Sequence, residues 1–342
     1  MRIRGLARLK SWVRLAASPF YSYAVILAYH RVFDARSDPQ LLCVQPEHFA
    51  EHLDHLSQNY TVLSLRQLAS SLKVRQAPKR AVVVTFDDGY SDNLHNAKPL
   101  LEQFGIPATV SVTTGYMGQS KEFWWDELER LFLLSSKMPE QLQVSINGET
   151  YLWRMDQDAA SIDEKWNVSL PGTPTSRQRA YRDLHRLLRP LRFEQQEEAL
   201  MALRQQLGDN GLGRPGYLAL SPKEVQRLAA GGLVEIGSHT VSHPVLSVQP
   251  LEDQRHELVE SKRQLETILG HPVTTLAYSY GARSDAGNET AALAREVGYQ
   301  IGCSNFPALV TQRSDIFQLP RFLVRDWDGD EFAGRLAGWF HG

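Results

Sequence analysis

The chain has only two cysteines, Cys43 and Cys303, too few for a disulfide framework. Both sit in apolar surroundings and read as buried thiols. No run of about 18 apolar residues occurs, so no membrane-spanning helix is expected. No sign of charge dominates: 37 Lys and Arg stand against 39 Asp and Glu, and a formal charge of −2 gives no reason to expect nucleic acid as a partner. Repeats and low-complexity tracts are lacking. Residues 1–20 have no acid and no uninterrupted apolar core, because Arg2, Arg4, Arg8, Lys10 and Arg14 break it, so the segment does not read as a secretory signal. Ile3, Leu6, Leu9, Trp12 and Leu15 interleave with those charges. The result is a basic amphipathic stretch suited to peripheral contact with an anionic membrane, to packing on the domain, or to a tail. The expected location is cytoplasmic, with contact at the inner face of the membrane as a variant. Nothing in the sequence sets the oligomeric state.

What is present is an ordinary globular composition, 42% hydrophobic and 22% charged over 342 residues, enough for one large α/β domain with an insertion or for two domains. Ala81-Val82-Val83-Val84-Thr85-Phe86 is an unbroken apolar run that ends in Asp87-Asp88-Gly89. Such a run predicts a strand covered on both faces, as in a parallel sheet, and its C-terminal end is where α/β folds place their sites. Successive side chains on a strand point to opposite faces, and Gly89 offers the backbone freedom for both acids to converge. Asp-Asp-Gly by itself also serves as turn chemistry.

A second strand, Leu233 to Ile236, leads into Gly-Ser-His239-Thr-Val-Ser-His243-Pro244. Histidines four apart lie on one face of a helical turn and can share a metal ion, with a carboxylate completing a set that leaves positions open. A histidine pair also fills surface and core roles. Around these anchors strands and helices alternate. Tyr23 to Tyr29 reads as a strand ending at His30, 46–58 as a helix opened by Pro46, 93–104 as a helix closed by Gly105, and Ala108 to Thr113 as a strand. Thr275 to Tyr280 and Tyr299 to Cys303 supply two further strands, and this rhythm predicts parallel βα units. Residues 118–220 break it. They include Phe123-Trp124-Trp125, a hairpin around Asn147-Gly148 and a charged helical stretch over 176–207 broken near Pro190. Following a strand end, this block should emerge beside the site.

Thr-Phe-Asp-Asp-Gly followed by Ser-His-Thr-x-x-His resembles the polysaccharide deacetylase family, carbohydrate esterase family four. Leu27-Ala28-Tyr29-His30-Arg31-Val32 is similar to the opening strand of its Tyr-His-x-Val subgroup, Tyr278-Ser279-Tyr280-Gly281 to its third motif, and Leu319-Pro320-Arg321 to its arginine-bearing fourth. The resemblance covers residues 22–117 and 221–325. It implies a distorted, incomplete (β/α) barrel of about seven strands, built from 21–117 and 221–342, with 118–220 as an inserted, mainly helical subdomain. It further implies Asp87 as general base, Asp88, His239 and His243 as ligands of a divalent metal (zinc foremost, with cobalt or nickel as other candidates), Arg321 orienting Asp87, and the Tyr280 N–H in an oxyanion hole. The implied reaction is hydrolysis of an N-acetyl group on a carbohydrate, a polysaccharide, glycolipid or glycan precursor. The sequence departs from the family in two places. The third motif lacks its arginine and has Ser279 for proline, and no Leu-x-x-His supplies a general acid near the C-terminus. His30 is the substitute acid, with a hydrogen-bonding role as its alternative.

Two other readings stand beside this one. A catalytically degenerate carbohydrate-binding protein would keep the fold without turnover. His48-Phe49-Ala50-Glu51-His52 also matches the pattern of inverted zinc metallopeptidases, although Glu47, Glu51 and Asp54 mark that helix as a solvated face.

Overall fold

The computed structural model describes residues 23–74, 80–135, 138–156, 164–173 and 175–341. The basic segment 1–20 lies outside them. Among the described residues twelve strands occur in chain order: β1 Ala24–Tyr29, β2 Arg31–Val32, β3 Cys43–Val44, β4 Thr61–Val62, β5 Ala81–Phe86, β6 Ala108–Val112, β7 Gln141–Ile146, β8 Glu149–Arg154, β9 Val234–Ser238, β10 Thr275–Ala277, β11 Ile301–Cys303 and β12 Phe322–Leu323. The main sheet is parallel and runs β11-β10-β9-β6-β5-β1-β12, with β4 beside the start of β5. It curls into a distorted barrel. Among the described residues one isolated bridge, Cys303 to Leu319 just before β12, joins its two ends, so closure is incomplete.

The apolar runs of β1 and β5 are buried throughout, because each face meets its own core. Val25, Leu27 and Tyr29 of β1, with Val82, Val84 and Phe86 of β5, pack against the helical layer, which includes Phe49, Leu53 and Leu56 of helix Pro46–Asn59. Ala24, Ile26, Ala81 and Val83 face the other way, toward Ala277, Ile301, Cys303 and Leu319. Both cysteines are buried free thiols.

The insertion has a core of its own around Trp124, Phe132, Tyr181 and Leu200. Its hairpin β7–β8 turns at Asn147 (φ 53°) and Gly148 (φ 82°), the left-handed pair that a two-residue turn requires. Helices Ser176–Leu188 and Phe193–Leu207 follow, with Pro190 between them. Buried ion pairs tie its end to its beginning: Arg214 holds Glu122 at 2.9 Å and Glu129 at 2.8 Å. Its exit docks on the loop after β5, through Leu220 N–H to Gly89 O (2.9 Å) and Ser91 N–H to Leu218 O (3.0 Å). That docking holds the inserted block at the C-terminal mouth of the barrel. Among the described residues no helix is long and apolar enough to cross a membrane.

Candidate active site

Alternation along β5 places Asp87 on the face of Ala81, Val83 and Thr85, inside the barrel. There Arg321 meets it side-on, Nη1 to Oδ1 at 2.8 Å and Nη2 to Oδ2 at 2.6 Å, with both side chains wholly buried. Arg321 is itself aimed by the Ser304 carbonyl (3.0 Å) and the Thr85 hydroxyl (3.1 Å). Burial alone would raise the Asp87 pKa, but the Arg321 guanidinium, helped by His239, outweighs it and holds the carboxyl below its ordinary range.

The same alternation would send Asp88 outward. It turns back because Asp88 itself adopts a left-handed backbone, φ 70°, as does Gly89 after it at φ 82°. The freedom expected at Gly89 alone is therefore shared by the acid. A Cβ on Gly89 would also press on Val112 at 3.0 Å.

His239 continues the inward face of β9, and its Nδ1 is fixed by the Ala277 carbonyl at 2.8 Å, which leaves Nε2 toward Asp88. The expected helical turn between the histidines does not form. Residues 239–243 are an irregular loop in which Thr240 (φ 67°) and His243 (φ 62°) are both left-handed. A β-branched residue pays for such a backbone, and the surroundings repay it. The Thr240 hydroxyl accepts from His243 N–H at 3.1 Å. Glu257, from helix Leu251–Leu269, accepts from Val241 N–H (2.7 Å), Ser242 N–H (2.9 Å) and the Ser242 hydroxyl (2.6 Å). Nothing local marks Glu257 in the sequence, where it is one charge among many on a long polar helix.

The outcome is a convergence. The Nε2 atoms of His239 and His243 each lie 3.4 Å from Asp88 Oδ1, and one ligand atom from each residue falls within 4.8 Å of the others. Asp88 Oδ1 is buried with no hydrogen-bond donor. A separation of 3.4 Å is long for a hydrogen bond and close to the roughly 3.3 Å edge of a tetrahedron of donors about 2.05 Å from a zinc ion. The donor set thus fits a divalent metal. Burial raises the Asp88 pKa, but the two facing imidazoles outweigh it and hold the carboxyl far below its usual range.

These groups open on a cavity of about 340 Å³. His30 lines it beside Asp87 and Asp88, its pKa lowered by burial against the pull of the two acids. Tyr280, also left-handed at φ 59°, lines it too, with its ring 4.6 Å from that of His243. The turn at Tyr280 ends β10 at Ala277, short of the strand expected through 280. Among the described residues no group accepts the Tyr280 N–H. From the insertion come Trp125, His185 and Arg189. The Trp125 ring lies 4.8 Å from that of His243, while Trp124 is buried in the insertion's core. Sequence reasoning missed His185, Arg189 and Arg325, since only the folded insertion and the segment after β12 bring them here.

The metallopeptidase motif is a structural element instead. His52 is buried between the Tyr29 hydroxyl (3.2 Å) and the Trp327 carbonyl (2.7 Å), stacked on Phe332 at 4.0 Å. His48 pairs with Asp326 at 2.7 Å, and Glu51 accepts from Gly329 N–H at 2.7 Å. The motif clamps the C-terminal segment to its helix and provides no shared ligand point among the described residues.

A sequence profile described as Polysaccharide deacetylase matches residues 74–133 and 187–302, about half of the chain. The Staphylococcus aureus poly-β-1,6-N-acetyl-D-glucosamine N-deacetylase is 26% identical over 146 residues, 39% of this chain and 47% of that protein. The Bacillus subtilis protein YxkH is 29% identical over 108 residues, 31% of this chain and 37% of that one. The matched stretch therefore spans less than half the length of these curated relatives. Among solved structures, the Streptococcus pyogenes deacetylase PplD in complex with acetate superposes with a TM-score of 0.58 at 17% identity, covering 92% of this chain and 99% of that one. IcaB from Ammonifex degensii gives 0.57 at 17% identity, covering 94% and 98%. At such identities the likeness is one of fold.

Proposed function

Because the chain belongs to the polysaccharide deacetylase family, we propose that it is a metal-dependent amidohydrolase that removes N-acetyl groups from a carbohydrate and releases acetate. The observation that carries this reading is the meeting of Asp88, His239 and His243 at one point, beside an Asp87 clamped by Arg321, in a single cavity. The three residues would hold the ion. Zinc suits two imidazoles and a carboxylate, and cobalt and nickel are accepted by similar donors. When bound, such an ion polarises the amide carbonyl and acidifies water.

The chain's own residues do the rest. Asp87 accepts the proton of the attacking water, and Arg321 keeps it ionised and aimed. The Tyr280 N–H donates to the oxyanion as it develops on the carbonyl. His30 hands a proton to the departing amine. Trp125, His185 and Arg189 give the insertion a share in choosing which acetylated sugar enters.

The test is acetate release by the purified protein from a panel of N-acetylated glycans, before chelation, after it, and with zinc restored. Activity should vanish on chelation and return with zinc. Glycan binding without acetate release under any metal would instead favour the degenerate sugar-binding reading. His30→Ala should slow amide hydrolysis more than hydrolysis of an activated aryl ester, whose leaving group departs without a proton. Equal slowing would remove His30 from the acid's role.

A further inference from the structure

The charges lining the cavity pair off, with one exception. Arg321 answers Asp87. Arg189 answers Asp285 at 2.7 Å and lies 4.3 Å over the Tyr280 ring. Asp88 faces the two histidines. Arg325 is left over. It lines the same cavity, two residues beyond β12, and among the described residues no carboxylate lies within ion-pair distance of it. Among the described residues its side chain has one partner, the carbonyl of Leu41, which accepts from Nη1.

That partner is informative. Leu41 is one of the few non-glycine residues held at positive φ, at 57°, a strained conformation that is kept where surroundings impose it. The neighbours Gln40 and Leu42 also line the cavity. Asp38 takes Leu42 N–H (2.9 Å) and Cys43 N–H (2.8 Å), which fixes the turn. A braced, strained loop thus holds one edge of a guanidinium and leaves its remaining donors to the cavity. Burial lowers the Arg325 pKa, with only partial opposition from Asp38, so its desolvation is not made good within the protein. A guanidinium is a planar fork that suits carboxylate or phosphate oxygens, and such pairs are about twice as strong as neutral hydrogen bonds.

We infer that Arg325 forms an anion subsite, and that the acetylated carbohydrate taken by this chain carries a carboxylate or phosphate group next to the sugar that is deacetylated. The inference rests on the deacetylase reading for its chemistry, but not for its binding geometry. It places an anionic glycan ahead of a neutral homopolymer of N-acetylglucosamine.

The experiment compares three probes on the zinc-loaded full chain: chitotetraose as the neutral one, a hyaluronan tetrasaccharide carrying carboxylates, and an alkyl phosphodiester of N-acetylglucosamine. Binding is measured by calorimetry and acetate release in parallel, for wild type, Arg325→Gln and Arg325→Lys. At least one anionic probe should bind the wild type about ten- to a hundredfold more tightly than chitotetraose, the range of one or two charge-assisted hydrogen bonds. Arg325→Gln should collapse that ratio toward one, and Arg325→Lys should restore part of it. Preference for the hyaluronan probe assigns a carboxylate, and preference for the phosphodiester assigns a phosphate. If no probe yields acetate but anion binding depends on Arg325, the subsite stands and the deacetylase reading falls. If chitotetraose is deacetylated and neither anionic probe binds more tightly, or if Arg325→Gln leaves the ratio intact in a protein of unchanged thermal stability, the subsite is overturned and the deacetylase reading survives.

Discussion

Asp87→Asn and Asp88→Asn remove the same charge one residue apart, yet the structure gives them different consequences. Asp87 is wholly buried against an equally buried Arg321, with both of its oxygens engaged. Removing one partner of such a pair strands the other and costs about 3–5 kcal/mol. Asparagine keeps one acceptor, which points to the lower end. About 3 kcal/mol corresponds to a fall in Tm of roughly 6 °C, at about 2 °C per kcal/mol for a large domain. The amide cannot take a proton from water, so kcat should fall by about 10²–10⁴, the usual worth of a general base. Metal content should stay near stoichiometric. Asp88→Asn has no guanidinium to strand, since Oδ1 meets only the two histidines. Its cost should appear as weaker zinc affinity, with activity partly recovered in excess zinc and a smaller change in Tm. Bound metal by elemental analysis, acetate release and thermal unfolding on both variants complete the comparison. The reasoning is refuted if Asp87→Asn loses its metal while Asp88→Asn keeps both metal and activity.

Two further outcomes concern Glu257 behind the histidine loop and His52 in the C-terminal clamp. Glu257→Gln should weaken zinc affinity about 10–100-fold, as loss of support behind a ligand commonly does, because it removes one strong acceptor from the loop that sets His243. A competition titration with a chelating dye reads this directly, and an unchanged affinity would show that the loop holds its shape without Glu257. His52, pushed down to about 4 by burial, should make the fold sensitive to acid. The unfolded chain takes up this proton near pH 6.5 and the folded chain only near 4. Stability from this residue is therefore intact above about 6.5 and falls by up to about 1.4 kcal/mol per pH unit down to 4. Urea unfolding at pH 7 and pH 5 should show a smaller acid loss in His52→Gln than in wild type, and equal losses would contradict the assignment.

The parts of the molecule that a local pattern can carry were legible in the residues. The β5 strand announced itself by an unbroken β-branched run, and helix ends by Pro46 and Gly105. The hairpin followed from Asn147-Gly148. Asp87, Asp88, His239 and His243 stood out because each closes a strand or follows one, and in a parallel sheet all such ends open on the same mouth, whereas Arg321, which stands just before β12, was marked by the Leu-Pro-Arg motif.

Other features depend on contacts between distant segments. The left-handed backbones at Asp88, Thr240 and His243 have no local signature, because few non-glycine residues of any type adopt φ > 0, and for Thr240 and His243 it is the loop held by Glu257 that imposes it. A histidine pair that reads as a helical turn therefore became a loop. His48 and His52 match a catalytic pattern letter for letter, but hydrogen bonds to residues more than 270 positions away make them a clamp. Arg325 looks like any surface arginine until the chain is folded and every other charge around the cavity has found its partner. The sequence alone determined the sheet, its mouth and the residue types offered there, because strand burial and alternation are set by neighbours along the chain. The tertiary structure decided which atoms meet, because that depends on backbone angles and pairings imposed by the rest of the fold.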